Sequence, residues 1–452
     1  MTSQHSAALA SASSAEQEVA RLCSELIGID TSNAGDDSGP GERVAAEYVA
    51  EKLAEVGLEP VMVEPAPRRT SVVARLEGAD PGRDALLIHC HLDVVPAVPA
   101  DWTVHPFSGE VRDGFVWGRG AVDMKNMCAM TLAVVRQRLR ERRKPPRDVV
   151  VAFVADEEHT GALGAGHLVD RRPELLDGCA EAIGEGGGFS VPAARADGAP
   201  IRLYPVGTAQ RGTAWLKLTA RGTAGHGSRR HRDNAVTQLA TALARIGAHE
   251  WPIQLTQPVR DFLRESASAL GVELDLASLA DDVDAALRAL GPVAALAEPV
   301  LRHSANPTIL DAGYKINVIP GAATGYVDGR VLPGYQREFF AEIDRLSGAG
   351  VTREFVSDQP PVNAPYSGPV VAAIRAALAA EDPAARPVPF CSAGGNDGKA
   401  FARLGMAAYG FAPLRLAPGL NYSAMFHGVD ERIDIDALRF GVRVLDRFLT
   451  AS

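Results

Sequence analysis

Histidine and carboxylate side chains follow apolar stretches of this sequence at several distant places. In "LLIHCHLDVVP", residues 86–96, His91 and Asp93 are two residues apart, so they share one face of a strand, as does His89. A neutral imidazole is a good zinc ligand, and a carboxylate that holds its second nitrogen fixes the tautomer. Taken alone, this segment is weak evidence for a metal site, because a hydrogen-bonded histidine at the end of a strand is commoner.

Two further segments add carboxylates. In "WGRGAVDMKN", Asp123 follows a glycine-rich turn and precedes a helical pattern, where a lone Asp is also explained as a helix N-cap. The apolar strand "VVVAFVAD" delivers Asp156, Glu157 and Glu158 to its carboxyl end, the edge of an α/β sheet at which ligands usually bind. Adjacent carboxylates repel one another unless cations or water relieve the repulsion. The segment therefore indicates either a metal site or a polar loop.

Glu185 in "AIGEGGGFS" and His427 in "MFHGVDERI" complete the set of candidate ligands. A phosphate-binding loop is the main rival for the glycine-rich segment. No GxGxxG pattern fits there, and an acid at the mouth of the loop would repel phosphate. "SAGGNDGKA" imitates a Walker motif but lacks the leading Gly and the Ser or Thr after Lys399.

Composition narrows the function classes. The chain has 452 residues, 46% of them hydrophobic, and a formal charge of −10, which disfavours a nucleic-acid-binding surface. Five scattered cysteines without a CxxC pair disfavour a disulfide framework and a thiolate zinc site, so we expect a cytoplasmic protein. Neither a secretory leader nor an apolar run of membrane-spanning length is apparent, and we expect no membrane partner.

The segments that carry these residues predict two domains. Helical patterns over 15–28 and 124–142 alternate with apolar strands such as 148–156, which indicates an α/β domain with mostly parallel central strands covered on both faces. From about residue 210 to 358 the strands alternate like half-exposed ones, as in "TAWLKLTARG", so we expect an inserted α+β domain. The Ala- and Leu-rich helical sequence within 250–305 has no assignable chemistry.

Together these segments resemble the two-zinc exopeptidases and aminoacylases, a family that includes acetylornithine deacetylase, succinyl-diaminopimelate desuccinylase, aminoacylase and glutamate carboxypeptidase. Five short motifs occur in the family's order across nearly the whole chain, and "GTAGHGS" and "KINVIPGAATGYVDGRVLPG" match its lid. The resemblance implies a three-layer α/β zinc-exopeptidase catalytic domain formed by residues 1–209 and 359–452. The inserted lid, residues 210–358, would be the dimerisation domain. A cis peptide bond after Asp123 is also implied.

The same resemblance implies a ligand set for two zinc ions. His91 would bind one ion and His427 the other, with Asp123 bridging both. Glu158 would complete the site of His427. Glu185 would complete the site of His91, and Glu181 is the alternative carboxylate for that position. Mixed histidine and carboxylate ligands suit zinc and are compatible with cobalt or manganese.

Roles in catalysis and binding follow from the same resemblance. Glu157 would be the general base and Asp93 would orient His91. In the lid, the residue that binds the oxyanion would be His226, and the residues that grip the substrate would be Asn317 and Arg330. The family's glycine-rich substrate loop corresponds to Gly394, Gly395 and Asp397. Asn396 and Lys399 stand where Thr and Arg are common in the family, which leaves the specificity open.

The predicted function is metal-dependent hydrolysis of an amide bond in an N-acyl amino acid or a short peptide with a free carboxylate. The first alternative is a true dipeptidase or carboxypeptidase rather than a deacylase. A second would use Glu157 and Glu158 as glycosidase carboxylates, which the histidines argue against. A third is a non-catalytic metal-binding relative, which would have little reason to retain Glu157.

Overall fold

The computed structural model describes residues 14–36, 38–277, 279 and 282–452. The chain divides into two compact units. The first unit comprises the chain up to Gly207 together with Ala364–Val388 and Asn396–Ser452. The second unit comprises Thr208–Asn363 and Pro389–Gly395. The first unit is therefore assembled from both ends of the chain.

The α-helices of the described residues are numbered in chain order. They are α1 (Ala15–Ile27), α2 (Arg43–Ala54), α3 (Lys125–Arg140), α4 (Ala165–Arg171), α5 (Ala235–Gly247), α6 (Gln257–Leu270), α7 (Val283–Leu290), α8 (Ala294–Ala297), α9 (Gln336–Ser347), α10 (Pro369–Glu381), α11 (Gly398–Ala402) and α12 (Ile435–Ala451). The first begins beside a capping box, because Ser14 and Gln17 exchange hydrogen bonds. None of the described helices combines the length and the apolar character that a membrane crossing requires.

The β-strands are numbered in the same way. They are β1 (Val61–Ala66), β2 (Arg69–Leu76), β3 (Ala85–His91), β4 (Val111–Arg112), β5 (Phe115–Trp117), β6 (Val149–Val154), β7 (Cys179–Gly184), β8 (Val191–Ala194), β9 (Pro200–Gln210), β10 (Gly212–Arg221), β11 (Gly225–His226), β12 (Ser304–Ala312), β13 (Val318–Ile319), β14 (Ala322–Val331), β15 (Val351–Gln359), β16 (Val362–Asn363), β17 (Ala385–Ser392), β18 (Ala407–Gly410) and β19 (Arg432–Asp434).

A mixed sheet forms the middle layer of the first unit. Its strand order runs β1-β2-β6-β3-β7-β18-β9. The central strands β6, β3, β7 and β18 are parallel to one another, whereas β2 is antiparallel to β6 and β9 is antiparallel to β18. Successive residues of β6 enter different apolar cores: Val151 packs with α1, α3 and α12, whereas Val150 packs with Leu168 of α4 and Phe401 of α11. Both faces of the sheet are covered, which explains the uninterrupted apolar runs and confirms the predicted α/β fold class.

The second unit contains an antiparallel sheet with the order β12-β14-β10-β15. Leu216 and Leu218 of β10 are buried under helices α5 and α9, together with Phe339 and Trp251. The alternating pattern "TAWLKLTARG" belongs to β10, whose buried residues alternate with partly exposed ones. The α+β arrangement that the sequence predicted for this region is likewise confirmed.

An ion pair fastens β9 to the end of α10 in the first unit. The fully buried carboxylate of Asp382 accepts hydrogen bonds from the Arg202 guanidinium, the Tyr204 hydroxyl at 2.9 Å and the Ala384 amide at 3.0 Å. Burial alone would raise the pKa of Asp382, but these donors outweigh it and lower the pKa below its ordinary value. The charged form of Asp382 therefore stabilises the folded state.

We predict that Asp382→Asn lowers the free energy of unfolding by about 2 kcal/mol at pH 7, since one buried charge-assisted acceptor is lost. Because the folded pKa is depressed, this contribution is complete above the unfolded pKa of about 4 and is lost as the pH falls through the folded value. Urea unfolding of both proteins should show a gap that narrows only below about pH 4. A gap that is constant down to pH 3 would contradict this assignment.

Candidate metal centre

Three neighbouring parallel strands of the first unit end at one edge of the sheet. β3 ends at His91, which lies opposite Val154, the last residue of β6. β7, the neighbour on the other side, ends at Gly184 and is followed by Glu185. The carboxyl ends of parallel strands meet at the same edge, so His91, the acidic turn after β6 and Glu185 come together there.

Two loops bring the remaining candidates to this edge. Asp123 lies two residues before α3, and His427 follows a short turn that ends at Met425. Oδ1 of Asp123 is 3.0 Å from Nε2 of His91, and Oδ2 is 3.3 Å from Nε2 of His427. One carboxylate thus lies between two imidazoles that are more than 300 residues apart in the chain.

The other predicted ligands surround this pair. Oε2 of Glu158 is 3.0 Å from Nε2 of His427, and Oε1 of Glu185 is 3.9 Å from Nε2 of His91. The ligand atoms of His91, Asp123 and Glu158 all lie within 4.8 Å of one another, as do those of His91, Glu157 and Glu185. The structure therefore brings the five predicted ligands together, and Glu157 lies among them.

Glu181, the alternative to Glu185, lies elsewhere. Its Oε2 accepts a hydrogen bond from Arg147 Nη1 at 2.6 Å. His89 is also buried, but its ring is 5.1 Å from that of Phe401 and packs against Gly184, where an added Cβ would be only 2.2 Å from the ring. Burial lowers the pKa of His89 to about 3, so it is a neutral core histidine.

The charges at this edge suit divalent cations. Burial, followed by the neighbouring carboxylates, raises the pKa values of Glu157 and Glu185 well above their ordinary value. Burial opposes the charged form of Asp123 too, but hydrogen bonds from His427 and His91 lower its pKa. Hydrogen bonds to Asp123 and Glu158 raise the pKa of His427 to about 10. Crowded carboxylates beside two imidazoles supply nitrogen and oxygen donors in a number that fits a pair of divalent cations.

Asp93 holds both the His91 ring and the acidic turn. Nδ1 of His91 is 2.9 Å from the main-chain oxygen of Asp93 and 3.6 Å from its carboxylate, so the carbonyl is the nearer partner. The carboxylate itself accepts hydrogen bonds from the amides of Glu157 at 3.2 Å and Glu158 at 3.1 Å. Asp93 therefore orients its neighbours through its main chain and its side chain together.

A buried polar network continues behind Asp93. Nδ2 of Asn33 donates to Asp93 at 2.9 Å and to Asp156 at 3.3 Å. Arg69 donates to Asp156 at 2.8 Å and forms an ion pair with Glu42 at 3.1 Å. Each of these side chains is buried. The network fixes the turn that carries Glu157 and Glu158, because a buried polar group without a partner is costly.

The second unit holds the predicted oxyanion-binding residue His226 and the predicted substrate-binding residues Asn317 and Arg330. His226 in β11 pairs with Val318 of β13, and the main-chain oxygen of Asn317 accepts a hydrogen bond from Gly227 at 2.9 Å, so His226 and Asn317 lie in one small hairpin. The His226 ring is exposed and its Nδ1 is 2.8 Å from the Ser228 hydroxyl. Exposed side chains at a hairpin end are available to a ligand.

Arg330 of β14 is already engaged within the second unit. Its guanidinium donates to both carboxylate oxygens of Asp328, at 2.7 and 2.9 Å, and to the Thr213 hydroxyl at 3.1 Å. A guanidinium has five N–H donors, so two remain for a ligand. The alternation of side chains along a strand places Asp328 and Arg330 on one face.

The predicted glycine-rich loop spans the boundary of the two units. Gly394 and Gly395 group with the second unit and Asp397 with the first. An added Cβ at Gly394 would meet nothing within 4 Å. Asp397 is 6% exposed and its Oδ2 lacks a hydrogen-bond partner among the described residues, and burial raises its pKa to about 8. Asn396 anchors this loop by donating to the main-chain oxygen of Glu185 at 3.0 Å.

The residues that support the candidate ligands were not predicted from the sequence. Asn33, Arg69 and Glu431 are polar residues in or near loops, where a solvated side chain is the ordinary expectation. The one signal in the sequence was position along the chain. Glu431 lies four residues after the candidate ligand His427, and Asn33 directly follows "DTS" after the first helix. Their burial depends on contacts with segments that are distant in the sequence, and a local sequence pattern does not encode such contacts.

Comparison with known proteins identifies the family. Residues 87–451 match the family model of Peptidase family M20/M25/M40. Aminoacylase-1 of Sus scrofa is 28% identical over 428 residues, which cover 91% of this chain and 90% of that protein. The N-fatty-acyl-amino acid synthase/hydrolase PM20D1 of Xenopus tropicalis is 27% identical over 394 residues, covering 82% of this chain and 72% of that protein.

Solved structures share the fold. An M20 family metallo-carboxypeptidase, Sso-CP2 of Sulfolobus solfataricus, aligns with a TM-score of 0.70 at 19% identity, covering 96% of this chain and 99% of that one. The dipeptidase Dug1p of Saccharomyces cerevisiae aligns with a TM-score of 0.69 at 16% identity and 97% coverage of both chains. The Bacillus subtilis protein YXEP, a dinuclear metal-binding peptidase, aligns at 0.60 and 14% identity, covering 96% of this chain and 98% of that one.

We predict that Asn33→Ala weakens divalent-cation binding about tenfold, the lower end of the range for outer-shell partners of metal ligands. The substitution removes the donor that links Asp93 to Asp156 and leaves every candidate ligand in place. Competition of the metal-free protein with a chromophoric chelator measures the affinity. Asn306→Ala, at an exposed position of the second unit, is the matched control. Equal affinities for Asn33→Ala and the control would refute the role of the network.

Proposed function

Because the chain belongs to Peptidase family M20/M25/M40 and is a metal-dependent amide hydrolase, we propose that it cleaves N-acyl amino acids bearing a free carboxylate with the help of two zinc ions. The observation that carries the proposal is the Asp123 carboxylate, whose two oxygens face the imidazoles of His91 and His427 at 3.0 and 3.3 Å. A carboxylate between two nitrogen ligands can offer one oxygen to each of two neighbouring cations, as a two-metal hydrolytic site needs a ligand set for each ion.

The proposed ligands divide into two sets around Asp123. His91 and Glu185 serve one cation, His427 and Glu158 the other, and Asp123 serves both. Bound cations of this kind polarise a carbonyl oxygen and lower the pKa of water toward neutrality. We assign zinc because imidazole and carboxylate donors with no thiolate are common in catalytic zinc sites, although cobalt and manganese accept the same donors.

Glu157 is the proposed general base. It lies among the ligand atoms of His91 and Glu185, yet the two sets around Asp123 are complete without it. Its carboxylate takes a proton from the attacking water and returns it to the nitrogen of the leaving amine, so that one group serves both halves of the hydrolysis. Asp93 supports this step indirectly, because it accepts a hydrogen bond from the Glu157 amide at 3.2 Å.

Recognition of the substrate is assigned to the second unit and the glycine-rich loop. We propose that His226 donates a hydrogen bond to the developing oxyanion and that Asn317 binds near it. The two unused N–H donors of Arg330 suit a carboxylate. Gly394 and Gly395 allow close approach of a substrate backbone. The unpartnered oxygen of Asp397 would accept from a donor on the substrate.

The relatives favour an acyl amino acid over a dipeptide as the substrate. Aminoacylase-1 and the N-fatty-acyl-amino acid synthase/hydrolase are the curated proteins described above, at 28% and 27% identity. The carboxypeptidase and the dipeptidase are similar to this chain in fold, at 19% and 16% identity. Dipeptide hydrolysis is therefore the second candidate.

We further propose a cytoplasmic homodimer formed through the second unit. Among the described residues, β12 is an edge strand that pairs with β14 alone, and it exposes Ile309 and Leu310. Helix α5 exposes small residues, Ala240 and Ala244, which allow a close approach of a second helix. The five cysteines are free thiols, as a reducing compartment favours. Sedimentation of the purified chain tests the assembly.

We predict that Glu157→Gln lowers kcat by about 10³-fold, within the range for loss of a general base. The isosteric amide cannot accept the proton, while the two ligand sets remain intact. Elemental analysis should therefore give the same metal content as the wild-type protein. Loss of a metal ion from Glu157→Gln would show that Glu157 is a ligand, and unchanged turnover would remove the base assignment.

The substrate class is tested by direct comparison. We predict that the zinc-loaded chain releases acetate from N-acetyl amino acids with a kcat/KM at least about tenfold higher than for dipeptides of the same carboxy-terminal residue, a difference of about 1.4 kcal/mol in transition-state binding. Amide analogues that lack the free carboxylate serve as the matched control and should react poorly. Preference for the dipeptides would make the second candidate the correct one.

A further inference from the structure

A buried carboxylate that is not itself a candidate ligand accepts hydrogen bonds from the main chain of the loop that carries Asp123. Glu431 is fully buried, and its Oε1 accepts hydrogen bonds from the main-chain amides of Gly120 at 3.1 Å, Val122 at 2.6 Å and Asp123 at 3.0 Å. Three donors from one short loop converge on one oxygen. This contact fixes the main chain at Asp123, and hence the direction of its Cα–Cβ bond.

The second oxygen of Glu431 connects the same loop to His427. Oε2 accepts from Nη1 of Arg119 at 2.8 Å, and Nη2 of Arg119 approaches the main-chain oxygen of His427 at 3.4 Å. The Arg119 guanidinium also lies over the ring of Trp102, 5.1 Å from its centroid. Glu431 and Arg119 therefore link the two loops that supply Asp123 and His427.

Main-chain pairing holds Glu431 in place. The amide of Gly118 donates to the oxygen of Glu431 at 2.9 Å, and β19, which begins at the next residue, pairs with β5. Gly120 has φ +92° and lies so close to Val94 and Lys125 that an added Cβ would be about 3 Å from each. The loop between β5 and α3 thus wraps around the Glu431 carboxylate with little freedom.

A carboxylate that bridges two cations must present each oxygen in a different direction. The Asp123 side chain can do so only if its main chain is held while both cations pull on it. The groups that hold that main chain are Glu431 and, through it, Arg119. The Arg119 charge also compensates the Glu431 carboxylate, so this support adds no net charge to the crowded edge.

We propose that Glu431 is a positioning residue for Asp123 that makes the binding of the second divalent cation possible. The inference rests on the proposed function, in which Asp123 bridges two cations. A structural ion pair would contribute only to stability. A positioning residue also controls the affinity of the second cation in a protein that remains folded.

The test uses the full chain in its metal-free form. Glu431→Leu removes both acceptors at similar size. Glu431→Gln keeps one oxygen for the three amides but turns an NH2 group toward Arg119, and the double variant Arg119→Met/Glu431→Gln removes that clash. Arg119→Met alone isolates the contribution of Arg119. Asp382→Asn, a buried acid with an arginine partner far along the chain from these loops, is the matched control for lost stability.

Each protein is titrated with Zn²⁺ against a chromophoric chelator, well below the melting temperature, and its Tm is measured without metal. We expect two bound ions in the wild-type chain. In Glu431→Leu the second ion should bind about 10- to 100-fold more weakly, as for other outer-shell losses, while the first changes less. The double variant should bind the second ion more tightly than Glu431→Gln does, and Asp382→Asn should bind both ions normally despite its lower Tm.

Normal binding of both ions by Glu431→Leu would overturn the inference and leave the proposed function standing. The inference would also be overturned, with the proposed function left standing, if Asp382→Asn lost the second ion to the extent that its Tm is lowered. Fewer than two ions in the wild-type chain would overturn the inference together with the two-cation function. If Glu431→Leu does not fold, the comparison of Glu431→Gln with the double variant decides, and no recovery of the second ion overturns the inference.

Discussion

The carboxylate of Asp123, shared between the imidazoles of His91 and His427, is the contact on which the rest of the structure depends. A shared carboxylate fixes the distance between two groups that the chain supplies from opposite ends. It requires one imidazole at the end of a central strand and the other in a loop near the carboxyl terminus. Building the first unit from both ends of the chain meets that requirement.

Carboxyl groups are crowded at this edge. Burial and neighbouring acids raise the pKa values of three of them, Glu157, Glu158 and Glu185. Buried arginines, Arg69 and Arg119, pair with acids just outside the ligand set. These two arginines thus balance carboxylates that are not candidate ligands. Such a site favours divalent cations, and their binding stabilises the folded chain by mass action.

Much of this arrangement was predictable because strands determine it. An apolar strand that ends in a carboxylate or histidine indicates its own sheet edge, which made His91, Glu158 and Glu185 candidates, while the resemblance to the family implied their roles as ligands. The loops were harder. The roles of Asp123 and His427 were implied only by the family resemblance, since a helix N-cap also explains a lone Asp123 and His427 lies in a loop without a local pattern. Asn33 and Glu431 were not predicted. The partners of Asn33 lie far along the chain, and those of Glu431 include main-chain amides of a distant loop.

Two details of the site also required coordinates. The partner nearest to Nδ1 of His91 is the main-chain oxygen of Asp93, a contact that side-chain patterns cannot reveal. The guanidinium of Arg330 is paired with Asp328. Strand alternation places the two residues on one face but does not show that they form an ion pair. The helical segment that lacked assignable chemistry forms α6, α7 and α8, and Phe262 and Leu263 of α6 are fully buried, so a structural role explains it.

The central claim is that Asp123 bridges two cations. Anomalous diffraction at the zinc absorption edge, from crystals of the zinc-loaded chain, tests it most directly. The account predicts two peaks about 3.5 to 4 Å apart, one beside His91 and Glu185 and the other beside His427 and Glu158, with an oxygen of Asp123 at each. A single peak, or two peaks with Asp123 bound to only one of them, would contradict it.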